Sequence, residues 1–185
     1  LLFSVSISAL SQTPLSIERI FSSPSLDGSA PRKLAISPDG QRVTFLRGKQ
    51  DDYERYDLWE YEIASGKTQM LVNSDDLHQG DEQLSDEEKA RRERLRLSGS
   101  GIVDYSWSSD GKALLFPLAG DVYYYRLADG KHAASVKKLL DTPEFETDIQ
   151  LSPNSTYISY IREQNLFVLN IETGKETAIT RQGGG

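Results

Sequence analysis

The chain contains no cysteine, only two histidines and a single methionine among its 185 residues. The lack of cysteine excludes disulfide bonds, thiolate zinc sites and a cysteine nucleophile. With His78 and His132 alone, a histidine-rich metal site or a histidine-dependent catalytic triad has little material. We therefore predict no metal site and no cofactor in this chain. Both histidines lie in polar segments and are expected at the surface.

Basic residues are also in the minority. Lysine and arginine number 21 against 28 aspartates and glutamates, which gives a formal net charge of −7. An acidic domain repels phosphate, which disfavours general nucleic-acid binding and leaves only a local basic cluster to bind a small anion. Apolar residues make up 37% of the chain, and none of its apolar runs reaches the roughly 20 residues that a membrane-spanning helix needs.

The first ten residues form a short apolar run that is followed by small residues. This pattern is typical of the hydrophobic region and cleavage site of a secretory signal, so residues 1–11 are predicted to be part of a signal peptide. The mature chain would begin near Gln12, in the periplasm or secreted, with no membrane association after cleavage. The alternative is a buried first strand, because apolar residues alternate with serine at Phe3, Val5 and Ile7.

Three similar turn sequences recur along the rest of the chain. They are Ser-Pro-Asp-Gly at residues 37–40, Ser-Ser-Asp-Gly at 108–111 and Ser-Pro-Asn-Ser at 152–155. Proline presets the turn dihedral, Asp or Asn bonds its own backbone, and glycine accepts a positive φ. A short apolar stretch precedes and follows each turn, so each unit begins with a predicted β-hairpin.

A third strand and a second turn follow each hairpin at a constant spacing. An Asp or Asn opens the third strand, and a glycine in the second turn comes nine residues later in all three units. These pairs are Asp57 with Gly66, Asp121 with Gly130, and Asn165 with Gly174. A fourth apolar stretch then closes each unit, so each unit is predicted to hold four antiparallel strands.

The second and third turns begin 44 residues apart, at Ser108 and Ser152, which is the spacing of a propeller blade. We predict an all-β fold, a partial β-propeller of about three four-stranded antiparallel blades with one α-helix inserted between blades 1 and 2. The lead-in segment is predicted at residues 12–32. Blades 1 to 3 are predicted at residues 33–72, 102–140 and 146–181, and the insertion at residues 77–98. Because a closed propeller has about four to eight blades, we expect a fragment truncated at both ends. An ordinary antiparallel sandwich is the alternative.

The segment between the first two blades predicts a strongly charged helix. Ser85 is a candidate N-cap, Glu88 completes a capping box, and Gly99 can end the helix. Arg92 and Arg96 lie four residues apart and are expected on one face. Two interpretations stay open: a solvated helix laced with ion pairs, or a helix from which one arginine reaches a carboxylate or carbonyl of a ligand.

The order of these elements resembles the N-terminal propeller of bacterial dipeptidyl peptidase IV. The resemblance spans residues 15–185. It is carried by the first turn signature, the charged helix and four further stretches, at residues 34–40, 87–97, 101–108, 115–118, 120–123 and 179–181. It implies an exported serine exopeptidase that removes X-Pro or X-Ala dipeptides from peptide N-termini.

In that family an eight-bladed propeller is joined to a C-terminal α/β-hydrolase domain, and the full-length protein is expected to be a homodimer. The resemblance implies that the Ser-Asp-His triad and the glutamate pair that binds the substrate amino terminus both lie outside this chain. The chain alone is therefore expected to hydrolyse nothing. Its expected partners are the hydrolase domain and peptides with Pro or Ala at the second position.

Only one substrate-binding role falls within this sequence. By resemblance, an arginine near the end of the inserted helix points toward the active-site cavity, and Arg96 is the first candidate and Arg92 the second. A guanidinium suits this role because it is permanently charged and donates in a fixed fork to a backbone carbonyl. Two alternatives stay open: a non-catalytic propeller that binds proteins, and the propeller of an acylaminoacyl or oligopeptidase relative.

Overall fold

The computed structural model of the chain describes residues 15–22, 26, 28–82, 84–142, 144 and 146–181. The predicted signal segment and the closing glycines lie outside the described residues. A short helix, α1 (Ile17–Phe21), precedes the strands and is capped by the hydroxyl of Ser16. Across the described ranges, helices are too short or too polar to cross a membrane.

The first sheet corresponds to predicted blade 1 and follows chain order. Its strands are all antiparallel to their neighbours: β1 (Arg32–Ile36), β2 (Arg42–Gly48), β3 (Arg55–Glu62) and β4 (Lys67–Val72). Two helices follow, α2 (Ser74–Leu77) and α3 (Asp86–Leu95). A two-residue strand, β5 (Ser100–Gly101), then returns to blade 1 and pairs with the start of β3 in parallel.

The second and third sheets repeat this order. Blade 2 contains β6 (Ser106–Trp107), β7 (Ala113–Leu118), β8 (Asp121–Arg126) and β9 (Ser135–Leu140). Blade 3 contains β10 (Glu146–Leu151), β11 (Tyr157–Arg162), β12 (Asn165–Asn170) and β13 (Glu176–Ala178). The prediction of four antiparallel strands in each unit is therefore confirmed.

The first strand of blade 2 is shorter than the sequence predicted. Of the apolar stretch that precedes the second turn, at residues 103–107, only the last two residues pair with β7. The preceding residues are tied to blade 1 instead. The N–H of Ile102 donates to the carbonyl of Tyr56 at 2.9 Å, and the hydroxyl of Tyr105 donates to the carbonyl of Lys33 at 2.5 Å.

The three turns repeat at the level of single hydrogen bonds. The turn serine donates its hydroxyl to the Asp or Asn two residues later, at 2.5 Å from Ser37, 2.7 Å from Ser108 and 2.8 Å from Ser152. The fourth turn residue has a positive φ in each copy, 69° and 68° at glycine and 55° at Ser155. The sequence repeat therefore reflects one local structure, which in blade 3 places a serine where glycine is favoured.

Two apolar cores hold the three sheets together. One lies between blades 1 and 2 and includes Leu58 and Phe116, and the other lies between blades 2 and 3 and includes Leu115 and Tyr160. Because β7 alternates its side chains between these cores, four consecutive residues, 113–116, are buried. This explains why the strand reads as a continuous apolar run, as strands covered on both faces do.

The outer faces of blades 1 and 3 leave large apolar side chains exposed. On blade 1, Leu34 is 65% and Ile36 is 68% exposed, and on blade 3, Tyr157 is 42% and Ile179 is 56% exposed. In the central blade, by contrast, Phe116 and Leu118 are fully buried. Large apolar side chains that are exposed on the face of a sheet suit burial against another surface.

Candidate functional site

A cavity of about 310 Å³ lies where α3 meets β7, β8 and β10, and we call it the α3 cavity. Its wall includes residues of α3, the β7–β8 loop at Ala119 and Gly120, and the start of β10. In an antiparallel meander, every second connection emerges at the same end of the sheet. The connection that carries α3 and the β7–β8 loop therefore meet at one face of the blades.

The helix that covers this cavity buries a charged face. Arg92 is only 7% exposed and Glu88, one turn earlier, is 4% exposed, whereas Leu95 on the same helix is 55% exposed. Of the two interpretations that the sequence leaves open, the solvated helix therefore does not hold for this face. Buried charges are stable only when they are paired and hydrogen-bonded, and these are.

The Arg92 guanidinium makes three hydrogen bonds within the protein. Its Nε donates to Glu88 at 2.8 Å, one Nη donates to Glu82 at 2.8 Å, and the other approaches the carbonyl of Gly99 at 3.4 Å. The second oxygen of Glu82 accepts from the N–H of Gly101 at 2.5 Å. Arg92 therefore links α3 to β5 and, through β5, to blade 1.

The helix begins as predicted but ends earlier. The hydroxyl of Ser85 accepts from the N–H of Glu88, which confirms the N-cap. The Glu88 carboxylate binds arginines instead of completing the predicted capping box. At the other end Arg96 has a φ of 54°, and the N–H of Leu97 donates to the carbonyl of Arg92 at 2.8 Å. This left-handed ending normally favours glycine. It removes Arg96 from the helix, so the expectation that Arg92 and Arg96 share one face is wrong.

Arg96 is exposed, and its side chain makes no ion pair or hydrogen bond with the described part of the chain. It is not among the residues that line the α3 cavity, whereas Arg92 is. The two predicted substrate-binding arginines therefore differ in kind. Arg92 is held by two carboxylates inside the protein, and Arg96 is a free cation beside the cavity-covering helix.

A third arginine, Arg91, was not singled out from the sequence and also lines the cavity. Its contacts are long: 3.4 Å to both oxygens of Glu88 and 3.7 Å to Asp104. No sequence signal separates Arg91 from its neighbours, because the charged run gives no indication of which face is buried.

Tyr105, just before β6, and Glu146, at the start of β10, also belong to the wall. Tyr105 lines the cavity, and burial raises its pKa to about 12, so its hydroxyl remains a donor to the carbonyl of Lys33. Glu146 is 4% exposed, and burial raises the pKa of its carboxyl, against hydrogen bonding from Thr142 and the nearby charge of Arg162. Its Oε2 has no hydrogen-bond partner among the described residues.

The histidines lie away from this cavity. His132 is exposed and contacts the carboxylate of Asp129 at 3.1 Å, as expected of a surface residue. His78 is instead half-buried, and its Nε2 is buried without a hydrogen-bond partner in the described ranges. Its backbone carbonyl accepts from Arg55 at 2.7 Å, which draws this polar segment against blade 1.

Three successive four-stranded antiparallel sheets, joined in chain order and packed face to face, define a partial β-propeller. Residues 108–185 match the model of the family described as the dipeptidyl peptidase IV N-terminal region. This match confirms the predicted resemblance for that segment, which includes blade 3 and nearly all of blade 2. The inserted helix, with Arg92 and Arg96, precedes the matched segment.

Among solved structures, the chain is similar to TolB from Acinetobacter baumannii, at 18% sequence identity and a TM-score of 0.48. The similarity covers 82% of this chain and 32% of the TolB chain. The chain therefore spans about a third of the length of that protein.

Proposed function

We propose that this chain is the propeller portion of an exported serine exopeptidase that releases X-Pro or X-Ala dipeptides from peptide N-termini. The observation that carries this proposal is the match of residues 108–185 to the dipeptidyl peptidase IV N-terminal region. The catalytic α/β-hydrolase domain would lie in further sequence, and the protein would act in the periplasm or outside the cell.

In this proposal the propeller shapes the cavity through which peptides reach the catalytic domain. The exposed apolar faces of blades 1 and 3 support it, because residues such as Leu34 and Ile179 would be buried by further blades. The α3 cavity supports it as well, since it is concave, mixed in charge and covered by an inserted helix.

The proposal predicts activity in the longer protein and none in this chain. The full parent should release p-nitroaniline from Gly-Pro-p-nitroanilide and not from its N-acetylated form, because the free amino terminus counts the dipeptide. Residues 12–185 alone should release none under the same conditions. A parent that cleaves only N-blocked substrates would point to an oligopeptidase relative, and an inactive parent would point to a non-catalytic propeller.

Within this function we propose Arg96, and not Arg92, as the arginine that donates to a backbone carbonyl of the substrate. Three of the five N–H donors of Arg92 already bind Glu82, Glu88 and Gly99, which fixes its guanidinium inside the protein. Arg96 is exposed at the end of α3, and its side chain has no partner among the described residues. A free guanidinium can form the charge-assisted hydrogen bond that the role requires.

Replacing Arg96 with alanine in the parent enzyme is expected to lower kcat/KM on an X-Pro substrate by about tenfold. Arg94→Ala is the matched control, because Arg94 is also exposed near the end of α3 and makes no ion pair with the described residues. The control should stay within about twofold of wild type. A loss below about threefold for Arg96→Ala, or an equal loss in both variants, would refute the role of Arg96.

A further inference from the structure

Glu146 is a buried carboxyl at the junction of blades 2 and 3. It begins β10 and is only 4% exposed. Thr142, in the connection from β9 of blade 2 to β10 of blade 3, binds its Oε1, and Arg162 at the end of β11 lies 3.7 Å from the same oxygen. A buried carboxyl is stable in its ionised form only when the charge is paired and both oxygens are hydrogen-bonded. The contacts of Glu146 therefore indicate which protonation state the fold accommodates.

The nearest cation is held by another carboxylate. Arg162 binds Glu176 at 2.7 Å, and its guanidinium lies 4.4 Å from the centre of the Phe167 ring, so it is fixed toward β12 and β13. The distance of 3.7 Å from Arg162 to Glu146 is too long for a hydrogen bond. The second oxygen of Glu146, Oε2, is buried and has no hydrogen-bond partner among the described residues. An ionised Glu146 would therefore be poorly compensated.

The hydroxyl of Thr142 has two neighbours and only one proton to donate. It binds Oε1 of Glu146 and also lies 3.3 Å from the backbone carbonyl of Glu144. If Glu146 is protonated, it donates to the Thr142 oxygen, and Thr142 donates to the Glu144 carbonyl, so both contacts are hydrogen bonds. If Glu146 is ionised, both neighbours of the hydroxyl are acceptors, and Thr142 can satisfy only one of them.

The other charges around Glu146 do not favour its ionised form either. Two more carboxyls lie close in the chain, at Glu144 and Asp148. The remaining charged residues of the α3 cavity wall are engaged with each other or with neighbours: Lys33 with Asp104, Arg92 with Glu82 and Glu88, Arg91 with Glu88 and Asp104, and Asp121 with Lys138. Burial therefore dominates and raises the pKa of Glu146, against the hydrogen bond of Thr142 and the charge of Arg162.

We propose that Glu146 is a pH-dependent latch between blades 2 and 3, in which the protonated side chain donates to Thr142 and holds the connection in place. When the proton leaves to solvent, the Thr142 hydroxyl turns from the Glu144 carbonyl to the new carboxylate. The desolvated charge then competes with Glu176 for Arg162. The latch uses only blade 3 and the connection before it, so it does not depend on the peptidase function proposed above.

The latch fixes the sign of the pH dependence of stability. Because the pKa of Glu146 is raised in the folded chain, its stabilising contribution is complete at acidic pH and is lost as the pH rises through that folded-state pKa. Glu176 acts in the opposite direction. Burial alone would raise its pKa, but hydrogen bonds from Tyr160 and Arg162 lower it, so its contribution is lost as the pH falls.

An NMR titration of the whole chain, labelled with carbon-13 at the glutamate carboxyls, tests the protonation state. One glutamate should titrate at a higher pH than the exposed glutamates, and its signal should be absent from Glu146→Gln. Glu172→Gln is the matched control, because Glu172 is exposed and lies beyond the end of β12 that is opposite Arg162. This control should keep the high titration. Titration of Glu146 together with the exposed glutamates, or below them, would overturn the proposal.

Urea unfolding of the same variants tests whether the proton holds the junction. Between about pH 5 and about pH 8, the unfolding equilibrium constant of the wild-type chain should rise at least about threefold more than that of Glu146→Gln. The amide of that variant stays neutral and can donate to Thr142 at every pH. Glu172→Gln should follow the wild-type chain. Equal pH dependence in the wild-type chain and Glu146→Gln would refute the latch, whatever the titration shows.

A third variant, Glu176→Gln, tests the competition for Arg162. It removes the carboxylate that holds Arg162 at 2.7 Å, so the guanidinium becomes available to Glu146. Glu146 should then titrate at a lower pH than in the wild-type chain, because a nearer cation stabilises its ionised form. An unchanged or higher titration pH would contradict the exchange of partners that the latch requires.

Discussion

Replacing Arg92 with methionine is expected to lower the free energy of unfolding by about 3 kcal/mol. Methionine fills a similar volume but leaves the carboxylates of Glu82 and Glu88 without their main cation. The side chains of both glutamates are at most 5% exposed, so water cannot replace the lost ion pairs. Breaking one partner out of a buried charge cluster is costly because the remaining charges stay desolvated. Denaturant unfolding, followed by far-UV circular dichroism, measures the loss.

The chain offers a matched control on the same helix. Arg94→Met removes an equal charge from an exposed position without an ion pair to the described residues, and it should change stability by less than about 0.5 kcal/mol. A triple variant with Glu82→Gln, Glu88→Leu and Arg92→Met should regain most of the loss, because it leaves no unpaired buried charge and keeps an acceptor for the N–H of Gly101. Equal destabilisation by the Arg92 and Arg94 variants would show that the buried cluster does not anchor α3.

Replacing Gly101 with alanine is expected to destabilise the chain by about 3 kcal/mol, from backbone strain and overpacking together. Gly101 has a φ of 73°, and an added Cβ would lie 2.5 Å from the carbonyl oxygen of Tyr56. That oxygen belongs to the backbone of β3 and accepts a hydrogen bond from Ile102, so it cannot move without loosening β5. Thermal and denaturant unfolding of the variant measure the cost.

Gly174→Ala separates the two causes. Gly174 has a φ of 69°, close to that of Gly101, but an added Cβ there meets nothing within 4 Å. This control should therefore lose only the conformational part, about 1 kcal/mol. The difference between the two variants measures the close approach of β5 to β3. Similar losses in both would mean that this approach is not tight.

The buried ion pairs of Arg92 and the close backbone contact at Gly101 both fix the inserted helix over the cavity. The Arg92 cluster holds α3 to Glu82 and to the backbone of Gly99, and the Gly101 contact holds the end of the insertion against blade 1. Short loops between strands need no such anchoring, since the flanking strands position them. A long polar insertion without an apolar stripe depends on buried ion pairs and on a close backbone contact instead.

The sequence predicted the blades well because their information is local. The Ser-Pro-Asp-Gly turn at residues 37–40, the period of 44 residues and the nine-residue spacing from Asp57 to Gly66 each encode one turn geometry. The structure reproduces that geometry in hydrogen bonds at Ser37, Ser108 and Ser152. The helix position and its N-cap at Ser85 were predictable for the same reason.

The candidate site was predicted only in part, because its contacts are distant in sequence. Arg96 and Arg92 were chosen together as helix neighbours, yet a left-handed residue at the helix end separates their roles. The partners of Arg92 include Glu82, which precedes the helix and carries no motif. The wall formed by Lys33, Asp104 and Asp148 depends on how three blades pack, which no local pattern reports.

By itself, then, the sequence determined the repeating unit, the number of blades, the place of the insertion and the family that residues 108–185 resemble. Turn chemistry and strand alternation act over a few residues, so their outcome can be read from the chain. The tertiary structure decided which face of α3 is buried, which arginine is free and which carboxylates lack a partner. Those outcomes depend on desolvation and on pairing between residues far apart in the chain. Both are set only when the blades pack against each other.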